Sequence, residues 1–174
     1  MLIRNVLAAI VLASSVVPQA HAANSEWTTV ASACVPDESS DGRYALEQAR
    51  FEFRGASTGE IVARCNITDP HDWLNLSSPT WSCMQITYDD PDGFLSQYRV
   101  RVQLRRAQAT DGASQTITTF DSNVVADSNP EPHCFDHNFN FFDNAYYLTL
   151  ILNRSAAQAN PRLMRVRLLF GQPG

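Results

Sequence analysis

From Trp27 onward, apolar side chains recur at every second position, and this period constrains the fold more than any other feature of the chain. Ala49, Phe51 and Phe53 alternate with Arg50, Glu52 and Arg54; Met84, Ile86 and Tyr88 with Gln85 and Thr87; Tyr98, Val100, Val102 and Leu104 with Arg99, Arg101, Gln103 and Arg105. Successive side chains of an extended backbone project to opposite sides, so this pattern sends one face into an apolar interior and the other into water. The sets Phe135, His137, Phe139, Phe141, then Tyr146, Leu148, Leu150, Leu152, then Met164, Val166, Leu168, Phe170 continue it. With residues 27–31, 61–67 and 116–120, the alternation predicts about nine strands.

Turn-forming pairs fall between these runs, among them Asp41-Gly42, Thr58-Gly59, Asp92-Gly93, Asp111-Gly112 and Asn160-Pro161. Short antiparallel strands with dense punctuation predict an all-β, two-sheet antiparallel sandwich, immunoglobulin-like or jelly-roll-like. Residues 42–48 read instead as a short helix. An outer-membrane barrel would share the alternation, but its strands need about nine to eleven residues and most runs here span about five to eight, which favours the sandwich.

Residues 1–22 carry Arg4, an apolar run from Val6 to Val17 and the Ala20-His21-Ala22 pattern of a cleaved secretory signal. The expectation is therefore a signal peptide at 1–22, one sandwich domain at 23–174, no membrane span in the processed chain, and a periplasmic or extracellular destination. The chain has 174 residues, 44% of them apolar, which excludes a disordered polymer. Its thirteen basic residues are all arginine, a usage that suggests a GC-rich bacterial source. The net charge of −5 lacks the basic excess that nucleic-acid binding requires. Oligomeric state is not readable.

Four cysteines in an oxidising compartment predict two disulfides. Cys65 is in phase with apolar Ile61, Ala63 and Ile67, whereas Cys83 and Cys134 are in phase with polar neighbours. Bridged residues on neighbouring strands must share a face, so the expected pairs are Cys34 with Cys65 and Cys83 with Cys134.

Three clusters offer chemistry. Trp73 and Trp81, with Asn75, lie in a segment poor in strand periodicity; an indole exposed there would stack on a sugar or anchor a protein. Arg99, Arg101 and Arg105 share the polar face of one strand, and Arg165 and Arg167 have a similar phase in the last. Together they would form a cationic stripe able to fork onto carboxylates or sulfates. Asp89, Asp90 and Asp92 cluster hard oxygen ligands on one turn, the chemistry that calcium requires. His133 and His137 are too far apart on a strand to chelate one ion. No GxSxG, HExxH or phosphate-cradling glycine loop occurs. The functional expectation is an exported, non-catalytic binding module with a glycan or protein partner and no cofactor. The alternatives are a secreted hydrolase using a converging carboxylate pair and a calcium-dependent adhesive module.

Overall fold

The computed structural model describes residues 26–69, 79–124 and 132–171. Among them eleven strands form: β1 (Trp27–Val30), β2 (Val35–Pro36), β3 (Tyr44–Glu47), β4 (Arg50–Phe53), β5 (Gly59–Ile67), β6 (Trp81–Asp89), β7 (Tyr98–Gln108), β8 (Ser114–Asp121), β9 (His133–Cys134), β10 (Asn144–Arg154) and β11 (Arg162–Phe170). All pairings are antiparallel. One sheet has the order β3-β4-β11-β6-β9, with β1 also on β11; the other is β2-β5-β10-β7-β8. The two pack face to face as a β-sandwich. The expected signal peptide and the Trp73–Asn75 segment lie outside the described residues.

The inward phases of both sheets meet in one core. Val100, Val102, Leu104, Leu148, Leu150 and Leu152 from one sheet, and Phe51, Met84, Val166 and Leu168 from the other, are buried in it. Five strands exceed the expected length, with nine to eleven residues in β5, β6, β7, β10 and β11. Strand length is thus not what separates this fold from a barrel. The separation lies in two open sheets closing on an apolar interior, where a barrel would close one sheet around a polar lumen.

Three local expectations are corrected. Residues 44–47 form a strand, because hairpin pairing with β4 outweighs the helix propensity of Ala45, Leu46, Glu47 and Gln48; Gln48 takes φ 53° in the two-residue turn. Residues 135–140 have no regular secondary structure, and only His133 and Cys134 of this stretch are strand, yet Phe139 is buried. In β11 a bulge between Leu163 and Arg165 shifts the phase, which buries Leu163 in place of Met164.

Both predicted disulfides form. Cys34–Cys65 is buried against the core, while Cys83–Cys134 joins directly opposed residues of β6 and β9 on the outer face. No helix among the described residues is long and apolar enough to cross a membrane.

Candidate functional site

The outer face of the β5-β10-β7-β8 sheet carries most of the polar chemistry. Its central strand, β10, sets the rows: Asn153 lies between Glu60 and Arg99, Ile151 between Val62 and Arg101, Thr149 between Arg64 and Gln103, and Tyr147 between Asn66 and Arg105. Alternation along β7 therefore aims Arg99, Arg101 and Arg105 outward, as the sequence predicts.

At one end of this face a cleft of about 530 Å³ opens, with Glu60, Gln97, Arg99, Arg101 and Asn153 in its lining. Arg99 forks onto Asp121, its Nε donating at 2.9 Å to Oδ1 and its Nη2 to Oδ2. The guanidinium holds the Asp121 carboxyl below the usual carboxylate range. Arg101 Nη2 donates to Glu60 Oε2 at 3.1 Å and to Asn153 Oδ1 at 3.3 Å, and Asn153 Nδ2 donates to Glu60 Oε2 at 3.0 Å. Three strands thus contribute one polar network.

Arg154 closes the base of the cleft and is 4% exposed. Its guanidinium donates to the carbonyls of Gly55 at 2.7 Å, Ser57 at 3.2 Å, Ala156 at 3.2 Å and Ala157 at 2.6 Å. It lies 5.7 Å from the Phe53 ring centroid. No carboxylate pairs with it among the described residues, so its charge adds to the positive character of the cleft. Sequence reasoning missed this residue, yet a signal existed: Arg154 continues the inward phase of Leu148, Leu150 and Leu152, where a charge is out of place.

The predicted clusters divide. Arg99 and Arg101 share the cleft, and Arg105 stands at the far end of the same face, its guanidinium 5.8 Å from the Tyr147 ring centroid. Arg165 and Arg167 do not join them. They lie on the outer face of the opposite sheet, which points the other way; Arg167 pairs with Glu26 and donates to Gln85 at 3.2 Å. Trp81 is also not a surface platform. It is fully buried, edge-on to Phe139 at 5.1 Å and Phe141 at 6.3 Å, because its indole gains more from packing than a loop position would offer.

Asp89, Asp90 and Asp92 do not converge as a ligand set, and no cluster of three or more His, Cys, Asp or Glu among the described residues is arranged to hold a metal. Asp89 ends β6 exposed, with its carboxylate 3.9 Å from Arg162. Asp92 Oδ2 accepts from the amides of Gln97 at 2.9 Å and Tyr98 at 3.3 Å, capping the loop, while Gly93 takes φ 62° in the turn. Asp90 faces Asp92 and Ser122, and both of its oxygens are sealed from solvent. Burial and the neighbouring carboxylate push the Asp90 carboxyl up to about 6.

The histidines hold separate places. His133 Nε2 is 2.9 Å from Thr118 Oγ1, and His137 Nε2 is 3.2 Å from the Tyr146 hydroxyl. Burial lowers both ring pKa values, as for neutral histidines packed at the edge of a core. Comparison with known protein families, curated proteins and solved structures finds no match.

Proposed function

We propose that this chain is an exported binding module that captures an anionic glycan, with the Arg99–Arg101 cleft as its primary site. The observation that carries this reading is the convergence of two arginines, Glu60, Asn153 and Gln97 on one open cleft. Sugar hydroxyls both donate and accept hydrogen bonds, and the cleft offers carboxylate, amide and guanidinium partners for each role. Arg99 is already forked onto Asp121, so a uronate carboxylate or a sulfate would be met chiefly by Arg101, whose planar guanidinium contacts Glu60 and Asn153 through Nη2 alone. Arg154 adds a positive charge without a carboxylate partner among the described residues, on a chain whose overall charge is −5.

Export agrees with the two disulfides, which persist in oxidising compartments. The hydrolase alternative loses support at the Asp90 and Asp92 turn, because Asp90, the carboxyl with the raised pKa, presents no exposed oxygen to a substrate.

Calorimetric titration with an oligogalacturonate and with a neutral glucan of equal length tests the reading. The expected outcome is binding of the uronate alone, weakened about tenfold or more in Arg101→Ala and partly restored in Arg101→Lys, since a desolvated charge-assisted contact is worth at least that factor. Equal affinity for the neutral glucan, or an unaffected Arg101→Ala variant, would overturn it.

A further inference from the structure

The same outer face holds a second hollow, of about 460 Å³, at the opposite end from the arginine cleft. Val35, Pro36, Arg64, Asn66 and Tyr147 line it. Val35 is 72% exposed, an unusual placement for an apolar residue of an edge strand, and with Pro36 it forms one wall. Tyr147 forms the other. Its position is held twice: Ser114 Oγ lies 2.6 Å from its hydroxyl, and Arg105, on β7, lies over its ring. The hollow belongs to the β2–β5 side of Tyr147 and Arg105 to the β7 side, so the ring divides a guanidinium from an open space.

An aromatic ring fixed in this way, beside a small apolar wall and two polar side chains, has the composition of a small-ligand site: apolar contact area with a few polar groups to fix orientation. The apolar face of a sugar ring fits Tyr147, and Asn66 can donate to and accept from its hydroxyls. Arg64, in the lining of the hollow, pairs with Asp37, whereas Arg105, across the Tyr147 ring, has no carboxylate partner among the described residues, so the unpaired positive charge at this end is that of Arg105. The arginine cleft and the hollow are joined by β10, from Asn153 to Tyr147, a span of about 20 Å at about 3.4 Å per residue. Between them Thr149 and Ile151 are 5% and 8% exposed, flanked in register by Arg64 and Gln103 and by Val62 and Arg101, so a ligand joining the two ends would pass over those flanking side chains.

We infer that the hollow at Tyr147 is a second subsite for the same ligand, which is therefore a linear polyanionic oligosaccharide laid along β10 and long enough to reach both ends. This inference rests on the proposed glycan reading and adds to it a minimum ligand length and a second set of contacts. Occupying both ends of one rigid sheet face makes the second contact intramolecular, so affinity must rise once the chain spans the gap.

The test compares oligogalacturonate dimer, tetramer and hexamer by calorimetry on the full processed chain, with wild type, Tyr147→Ala and Asn66→Ala. Thermal melts verify that each variant folds; Asn66 is exposed, so its variant keeps the test available if Tyr147→Ala does not fold. Expected is a gain of about tenfold or more from dimer to hexamer, lost in both variants while dimer affinity stays unchanged. A length-independent affinity, or a gain that survives both substitutions, overturns the second subsite and leaves the arginine cleft standing. If no length binds, both readings fall.

Discussion

Asp90 and Arg154 are charged groups buried under opposite terms. Asp90 shares its site with Asp92 and has its ordinary pKa raised to about 6, so the folded state prefers the carboxyl protonated. The unfolded chain ionises near 3.8. Its contribution to stability is therefore greatest below that value, declines as pH rises toward 6, and stays low above it. Asp90→Asn mimics the protonated form and is expected to raise the melting temperature at pH 7.5 while leaving it nearly unchanged at pH 4. The residue as a whole is half-buried, so solvent close to its sealed carboxyl oxygens screens the effect to about 1 kcal/mol. Equal shifts at both pH values would show that Asp90 is not carrying the proton. Arg154, in contrast, meets four carbonyl oxygens and, among the described residues, no carboxylate. Arg154→Met keeps most of the volume but leaves those carbonyls without their donor. The expected cost is about 3 kcal/mol or more, read as a drop of roughly 6 to 12 °C in melting temperature. Because the guanidinium ties residues 55–57 to residues 156–157, faster amide exchange in both loops should accompany the loss.

β9, two residues long, has little of its own to hold it. Only Cys83–Cys134 and Met84–His133 pair it with β6, and Phe135 N adds a bond to Ser82 O at 2.8 Å. The disulfide, spanning 51 residues of sequence, is the covalent tie for the whole aromatic segment that follows, including buried Phe139. Replacing Cys83 and Cys134 together by serine is expected to cost about 2–4 kcal/mol by denaturant titration. Hydrogen exchange should rise first in residues 133–143. Uniform loss of protection across both sheets would instead mean that the bridge acts on the unfolded chain alone. β11 divides one edge between two neighbours: Arg162 and Leu163 pair with β4 and residues 165–168 with β1, while the bulge at Met164 interrupts its ladder with β6 on the other edge at the point between them.

The sandwich brings together chain segments far apart in sequence, β1 against β11 and β5 against β10, under two disulfides. Two disulfides fit a compartment where thiols oxidise, the setting of the proposed export. N-terminal sequencing of the exported protein is expected to begin at Ala23. A mature product retaining residues 1–22 would remove the export reading without touching the fold.

Much of this architecture is legible in the sequence, and for a plain reason. Which way Val100, Leu148 or Cys65 points depends on a period of two that the backbone enforces locally, so faces, core members and even the disulfide partners could be derived from phase. The exceptions are equally physical. Glu52 is buried beside Arg162 despite its outward phase, and Leu163 replaces Met164 in the core because a bulge adds one residue. The candidate site depended on more than phase. Strand order and register, set by the packing of distant segments, put Glu60 and Asn153 beside Arg101, sent Arg165 and Arg167 to the opposite surface, and drew Trp81 into the core. Local alternation thus dictated inside and outside, whereas the choice of which outward side chains meet required long-range pairing, because no short-range rule specifies which strands become neighbours.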